Sequence, residues 1–598
     1  MSETKQRFNE YMTKRELKRR FLINDKFIGR FFPAPVKIST AKNSDKLRDA
    51  WAVSVVEEIM QRKKFQHDHY STRGSEPNAK KRKTVRKALI RASSINTLFE
   101  SVPNAGRNFV LHIGPTNSGK TYHALKRFAK AETGIYLAPL RLLALEIFDT
   151  LNYNGVFCSL LTGEEREDVP FAKVLSSTIE TCCFDSHYDV AVIDECQLIA
   201  DERRGQHWTK AILQLNADEI HLCLAPEAAD LIISLLNSIN ASYTVNYYER
   251  LAPLKFSGIF KSLANIQQGD ALIAFSRKKV LAIAAALEDM GVKTSVIYGW
   301  LPPAARREEI RRFNSGESTV VVATDAIGMG VSLPIKRIIF CETDKWDYGA
   351  YRPLSIYEIR QIAGRAGRYG KFDAGEVLSM TRPEHIQSAL AKGIVPLKRI
   401  TLPFPQEVIT GGADLKIYLE EWERLLLDKT FRRERMTEAL ILLKFLKNDA
   451  AAFATEDLFK LIRCPFNTSD PQLMSYWRSC CLAINNGEAL PLPEGRSDNL
   501  TDCEVQYRAY EIRYRLANTF GFFDDFLAER QRLCIKINNL LIGDKTMFIA
   551  RCKECGKRLP VTHSETLCND CLIKEANKKS SAINNQHPKS YKLSGCWF

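Results

Sequence analysis

The feature that most restricts how this chain folds is a junction near residue 114. Phe109-Val-Leu-His-Ile113 is an apolar strand that runs directly into Gly114-Pro-Thr-Asn-Ser-Gly119-Lys120-Thr121, and a helix beginning Tyr122-His-Ala-Leu follows. Strand, G-x-x-x-x-G-K-T and helix in immediate succession make a phosphate-binding loop in a parallel α/β sheet. Glycine lets backbone N–H groups surround the phosphates, and the helix N-terminus adds a favourable field. Gly114, Pro115, Thr116, Asn117, Ser118, Gly119, Lys120 and Thr121 are thus the expected nucleotide cradle. Lys120 is read as meeting the β- and γ-phosphates, and Thr121 the Mg2+ ion. Kinases and transporters carry such loops too, so the rest of the site has to discriminate.

Ala191-Val-Ile-Asp194-Glu195-Cys-Gln197 does so. It is an apolar strand ending in adjacent carboxylates, with Asp194 placed for the Mg2+ shell and Glu195 for orienting and deprotonating the attacking water. Further short apolar runs, Ile135–Leu137 and Ile220–Leu224, alternate with amphipathic stretches across residues 105–250, the pattern of a parallel sheet covered by helices. The alternation returns over 251–403 with Ala271–Phe275, Thr294–Tyr298, Thr319–Ala323 and Arg337–Phe340. A second, similar α/β domain is implied. It carries Gln361-Ile-Ala-Gly364-Arg365-Ala-Gly367-Arg368, in which Gln361, Arg365 and Arg368 are candidate catalytic residues. Two arginines three apart on one helical face reach a single γ-phosphate as fingers, an effect of about 10³ to 10⁵ in rate. With the water-activating carboxylate on one domain and the arginines on the other, hydrolysis requires closure, the physical basis of a motor.

At 598 residues, 45% apolar and 26% charged, the chain is folded protein of several domains. No apolar run approaches the roughly 20 residues that span a bilayer, so no membrane partner is expected. Residues 1–104 hold 24 Lys and Arg against 11 Asp and Glu, +13 of the chain's +16. This basic region reads as partly helical, over Ser44–Arg62 and through the dense cluster Lys80–Arg91, and a polyanionic partner suits it. Glu3, Glu10 and Glu16 count against a mitochondrial transit peptide and favour a bacterial-type cytoplasm, with the mitochondrial matrix as the alternative. Residues 404–548 read as a helical domain, through Leu415–Leu427, Met436–Leu446 and a helix resuming near Glu504. In 549–576, Cys552-x-x-Cys555 and Cys568-x-x-Cys571 have the spacing of a zinc ribbon, a closed Cys₄ site holding structural Zn2+. Residues 577–598 read as a disordered tail.

Taken together, these blocks resemble superfamily two helicases, and several are similar to one family, the RNA helicase of the mitochondrial degradosome with its bacterial relatives. They are Gly114–Ala124, Ala138-Pro-Leu-Arg-Leu-Leu-Ala-Leu-Glu146, Leu161-Thr-Gly-Glu-Glu-Arg166, Val296-Ile-Tyr-Gly-Trp-Leu-Pro-Pro303, Val322-Ala-Thr-Asp325-Ala-Ile-Gly328-Met-Gly330 and Gln361–Arg368. The resemblance covers residues 108 to 400. It implies two tandem RecA-like domains and ATP-driven unwinding with 3′ to 5′ polarity on single-stranded or partly duplex RNA, with DNA a second substrate and an exoribonuclease as partner. It further implies that Pro139, Leu140, Arg141, Thr162, Gly163 and Thr178 on the first domain, and Ser276, Arg277 and Thr324 on the second, border the nucleic-acid backbone. Asp325 and Gly328 then link that strand to the nucleotide cleft.

Two departures stand out. The acidic motif carries Cys196 where the family has Ile, an exchange at a buried position that leaves Asp194, Glu195 and Gln197 in place. The segment Leu222-Cys-Leu-Ala-Pro-Glu227 lacks the family's Gly-Glu-Pro order at the motif coupling hydrolysis to stepping. Competing readings are a duplex-DNA translocase that does not unwind, separable by triplex displacement, and an RNA-binding scaffold with weak ATPase, against which intact Lys120, Glu195, Arg365 and Arg368 argue. Oligomeric state leaves no trace in the sequence.

Overall fold

The computed structural model describes residues 79–100, 106–163, 165–328, 333–347, 350–409, 414–495, 498–522 and 527–542, three short N-terminal strands, and 554–555 and 571–574. The chain divides into two units, Met1–Lys87 and Ala88–Phe598. In the first unit, β1 (Tyr11–Thr13), β2 (Val36–Ser39) and β3 (Leu47–Ala52) form an antiparallel sheet with β3 central. At Leu47–Ala52 this corrects the helical reading of Ser44–Arg62. Val36-Lys-Ile-Ser39 alternates with period two, and pairing with it on one side and Tyr11–Thr13 on the other holds Leu47–Ala52 extended. The rest of that stretch lies outside the described residues. The basic cluster Lys80–Arg91 does form a helix, Ala79–Ala92.

The second unit opens with β4 (Asn108–Ile113), β5 (Gly134–Ala138), β6 (Cys158–Leu161), β7 (Arg166–Glu167), β8 (Val174–Thr178), β9 (Tyr188–Ile193), β10 (Ala217–Leu224) and β11 (Ser242–Tyr247). Their order is β11-β4-β10-β9-β5-β8-β6-β7, parallel throughout except for the edge pair β6–β7. Buried runs such as Val190–Ile193 are what a sheet covered on both faces demands. The registers Ile113↔Leu224 and Ile193↔Leu222 bring Gly114, Asp194 and Ala225 to one carboxyl edge, where open α/β sheets place their ligands.

A second parallel sheet follows, made of β12 (Leu254–Ile259), β13 (Asp270–Ile273), β14 (Thr294–Ile297), β15 (Val320–Ala323), β16 (Arg337–Phe340) and β19 (Gly375–Ser379). Its order is β12-β19-β16-β13-β15-β14. A hairpin of β17 (Asp344–Asp347) and β18 (Ala350–Pro353) is inserted before β19. The helix Arg141–Tyr153 of the first domain contributes Leu142 to a core shared with Ile273, Ala323, Ile359 and Ala363 of the second, so the two domains meet through apolar contact as well as charge.

Beyond residue 414 the described structure is mostly helical. Leu500–Phe520 and Leu527–Ile542 put Cys503, Tyr507, Tyr510, Leu533 and Ile537 into one core with Leu272, Val296 and Val322 of the second sheet. On the other side, β20 (Ile400–Leu402) pairs with β21 (Phe431–Arg433) and fastens to the first domain. Thr209 Oγ1 donates to the Thr401 carbonyl at 2.7 Å, and Thr401 Oγ1 to that of Asp201 at 2.8 Å. The helical region therefore bridges both α/β domains.

Candidate active site

The loop after β4 is shaped by backbone that few residues tolerate. Gly119, at the start of the helix Lys120–Phe128, has φ +80°, and Asn117 has φ +63°. At Gly114 an added Cβ would lie 2.7 Å from Ser118 Oγ and 2.9 Å from Tyr248, so only glycine fits. Ser118 Oγ is buried without a hydrogen-bond partner. Lys120 is buried at the helix start, its Nζ 3.4 Å from the Pro115 carbonyl.

Thr121 Oγ1 donates to Asp194 Oδ1 at 3.2 Å, and Tyr136 OH to Asp194 Oδ2 at 2.9 Å. Burial, and then the adjacent Glu195 carboxylate, hold the Asp194 carboxyl above its usual range, with Lys120 opposing. Two crowded carboxylates beside a threonine hydroxyl form a hard oxygen donor set suited to Mg2+. Together with the orphaned Ser118 hydroxyl and the glycine-only cradle, they fit a magnesium-bound nucleotide. Glu195 itself sits at φ +51°, and Gln197 Nε2 donates to its carboxylate. Cys196 is fully buried with its thiol donating to the Ile193 carbonyl at 3.1 Å, so the substituted position belongs to the core.

From the second domain, Arg365 approaches to 3.5 Å from Glu195 and donates to the Gly328 carbonyl at 2.9 and 2.7 Å. The Gln361 side-chain nitrogen is buried and unpartnered, a spare donor in the cleft. Asp325 opens the 3₁₀ turn ending at Gly328 and is paired with Lys345 at 3.4 Å. The single helical face assumed for the arginines is corrected: the helix, capped by Ser355 and Glu358, runs only from Ile356 to Ala363, and Gly367 takes φ +71°. Both arginines lie beyond the helix end, on the turn that follows it. Arg368 lines a cleft of about 280 Å3 with Glu146, Asp149 and Arg307.

The altered coupling segment is tied at both ends. Gln197 Oε1 accepts from the Ala225 N–H at 3.0 Å, while Glu227 pairs with Arg360 of the second domain at 3.2 Å. The Glu227 carbonyl also accepts from Leu397 N at 2.7 Å. Gln197 thus joins the Glu195 carboxylate to the segment whose Glu227 reaches Arg360 of the second domain.

Pro139, Leu140, Arg141, Gly163 and Thr178 line one cavity of about 740 Å3 between the first domain and the helical region. Thr162 is buried beside it, accepting from Glu165 N at 3.0 Å. Ser276, Arg277 and Thr324 do not line this cavity. Ser276 caps its own helix through Lys279 N, Thr324 accepts from Ala326 N, and Arg277 is pinned 2.8 Å from the fully buried Glu504. The last pairing follows from helix Leu500–Phe520 packing on the second sheet, which the sequence did not reveal. The cavity also collects Arg203, Arg204, Arg435, Arg463 and Arg515, none of them singled out beforehand as a site residue. The charge density of Phe431-Arg-Arg-Glu-Arg435 was the available signal. Of the four candidate zinc ligands, Cys555 is exposed and Cys571 half-buried, while Cys552 and Cys568 lie outside the described residues.

The fold is that of two tandem RecA-like helicase domains, with the phosphate-loop motif and the acidic motif of the first facing Arg365 of the second. Residues 96–248 match the model of the DEXQ-box helicase domain of Suv3, and residues 255–370 that of the helicase conserved C-terminal domain. The chain therefore carries a Suv3-type DEXQ-box helicase domain followed by a helicase C-terminal domain. It is 34% identical over 462 residues to the Arabidopsis thaliana "DExH-box ATP-dependent RNA helicase DExH18, mitochondrial", covering 73% of this chain and 59% of that protein. It is 46% identical over 284 residues to the Oryza sativa subsp. japonica "ATP-dependent RNA helicase SUV3, mitochondrial", covering 46% and 49%. With the Homo sapiens "ATP-dependent RNA helicase SUPV3L1, mitochondrial" it shares 41% identity over 291 residues, covering 46% and 37%. The matched region thus spans less than two thirds of each of these relatives. Among the described residues no helix is long and apolar enough to cross a membrane.

Proposed function

We propose that this chain is an ATP-driven helicase that moves 3′ to 5′ along single-stranded RNA and displaces the paired strand. The observation that carries the reading is the meeting of Arg365 of the second domain with Glu195 of the first at 3.5 Å. Lys120 binds the phosphates, Glu195, oriented by Gln197, accepts the proton of the attacking water, and Arg365 neutralises charge developing on the transferred group. Thr121 and Asp194 would hold a Mg2+ ion, which when bound would add further screening of that charge. Since these groups come from two domains, the site is complete only on closure, and ATP binding is thereby converted into domain movement. The arginine-lined cavity beside Arg141 and Thr178 suits a sugar–phosphate backbone.

Four cysteines, Cys552, Cys555, Cys568 and Cys571, hold a structural Zn2+ in this reading, supported by their spacing. The relatives' names, all of them mitochondrial, favour the mitochondrial alternative over a bacterial cytoplasm. The test is ATPase turnover with single-stranded RNA, single-stranded DNA and duplexes side by side, together with displacement of a strand from a 3′-tailed RNA duplex. RNA-stimulated turnover and displacement are expected. Turnover indifferent to nucleic acid, with no displacement, overturns the reading.

A further inference from the structure

We propose that Arg250, in the segment joining the two RecA-like domains, is the positioning residue for the arginine finger. This inference rests on the ATPase reading above. Arg250 lies between the end of β11 at Tyr247 and the start of β12 at Leu254, in neither sheet. Four of its five N–H donors go to backbone carbonyls: Nε donates to Ala252 at 2.6 Å, Nη1 to Thr116 and Gly364 at 2.9 Å each, and Nη2 to Ala366 at 2.5 Å. Thr116 belongs to the phosphate loop of the first domain. Gly364 and Ala366 flank Arg365 in the second. One side chain therefore grips the peptide units on both sides of the finger and ties them to the loop that holds the phosphates.

Adjacent contacts reinforce the knot. Asn117 Nδ2 donates to the Gly367 carbonyl at 2.7 Å, and Leu251 N to the Asn117 carbonyl at 3.0 Å. Gly364 approaches so closely that an added Cβ would sit 2.8 Å from Thr116 Cβ. Burial, and then the nearby Arg365, push the Arg250 guanidinium down only to about 10, so it stays charged at neutral pH. A planar fork with five donors can address three separate chain segments. An ammonium on a flexible stem cannot hold the same set. When the domains part, Arg250 must release either Thr116 or the Gly364 and Ala366 pair, so its full set of bonds belongs to the closed arrangement alone. It acts on the reaction through Arg365 and touches no reacting atom.

The test compares Arg250→Ala, Arg250→Lys, Arg365→Ala and the double variant Arg250→Ala/Arg365→Ala. ATP kcat and KM are measured, and so is binding of ADP–aluminium fluoride, which mimics the transition state, against AMP-PNP, which mimics the ground state. Arg250→Ala is expected to lower kcat and ADP–aluminium fluoride affinity by about 30- to 100-fold while KM and AMP-PNP affinity stay within about threefold, and to add nothing once Arg365 is gone. Arg250→Lys, which keeps the buried charge, is expected to show the same split with at least about a tenfold loss, and it carries the test if the alanine variant does not fold. Multiplying losses in the double variant, equal weakening of both nucleotide analogues, or a fully active lysine variant each overturn the proposal. If the parent chain hydrolyses no ATP, the proposed function fails instead, and the analogue-binding split still reports on Arg250.

Discussion

Replacing Glu227 by Gln tests how hydrolysis is coupled to movement in a chain whose coupling segment reads Ala225-Pro-Glu227. Glu227 and Arg360 face each other across the domain cleft at 3.2 Å, with side chains 12% and 21% exposed. At that distance and an effective dielectric of about 20, the Coulomb attraction is about 5 kcal/mol. Desolvating both groups offsets most of it, and a net loss of about 1–2 kcal/mol is the reasonable expectation for such a half-sheltered pair. Arg360 is not stranded by the change, because it also donates to the carbonyls of Ala389 at 3.1 Å and Gly393 at 3.2 Å. The fold should therefore survive while the closed arrangement weakens about 5- to 30-fold relative to the open one. The assay is strand displacement per ATP hydrolysed, alongside ATP KM and basal turnover without RNA. Glu227→Gln should leave KM within about twofold, lower RNA-stimulated turnover by that factor, and lower displacement at least as much. Displacement per ATP equal to the parent's, at equal turnover, would refute the reasoning and return Glu227–Arg360 to the status of a static contact.

Lys120→Ala and Glu195→Gln should both abolish unwinding, but only the first removes a phosphate ligand; equilibrium ATP binding should fall for Lys120→Ala and persist for Glu195→Gln, and equal loss in both would undo the role assignment. Arg365→Ala should lower turnover by about 10³ with ATP affinity within a few-fold, whereas Arg368→Ala, on the wall with Glu146 and Asp149, should cost at least about tenfold less; single-turnover rates that rank the two the other way count against the geometry. His112, beneath the phosphate loop, bonds His221 and Tyr248 at 2.8 Å each, and burial, with His221 and His123 nearby, lowers its pKa to about 4. The folded value lies below the unfolded one of about 6.5, so this neutral histidine's contribution, about 3 kcal/mol at most, is complete above pH 6.5 and lost as pH falls toward 4. His112→Gln should flatten the acid-side fall in melting temperature across that window, and identical slopes would exclude the histidine as its source.

The sequence by itself determined the two sheets and the chemical half-sites on their edges. Apolar strands ending in Gly114–Thr121 and Asp194-Glu195 are local patterns, fixed by period, chain length and turn residues within a few positions, and parallel strands buried on both faces leave a nearly unbroken apolar signature. Leu47–Ala52 escaped because a short strand with mixed spacing carries too little periodicity to be told from a helix turn. Only the tertiary structure decided which arginine of the Gln361–Arg368 segment meets Glu195. That outcome depends on the helix ending at Ala363 and on the left-handed backbone at Gly367, which put Arg365 and Arg368 on a turn and not on one helical face. Partners distant in sequence were equally hidden: Arg277 with Glu504, Arg141 with Glu511, Glu227 with Arg360, and Arg250 with three peptide carbonyls from two domains and one of its own. A backbone carbonyl has no residue identity to read, and an ion pair between residues hundreds of positions apart has no spacing rule. Packing alone brings such groups within hydrogen-bond reach, and it is there that two ordinary half-sites become one site.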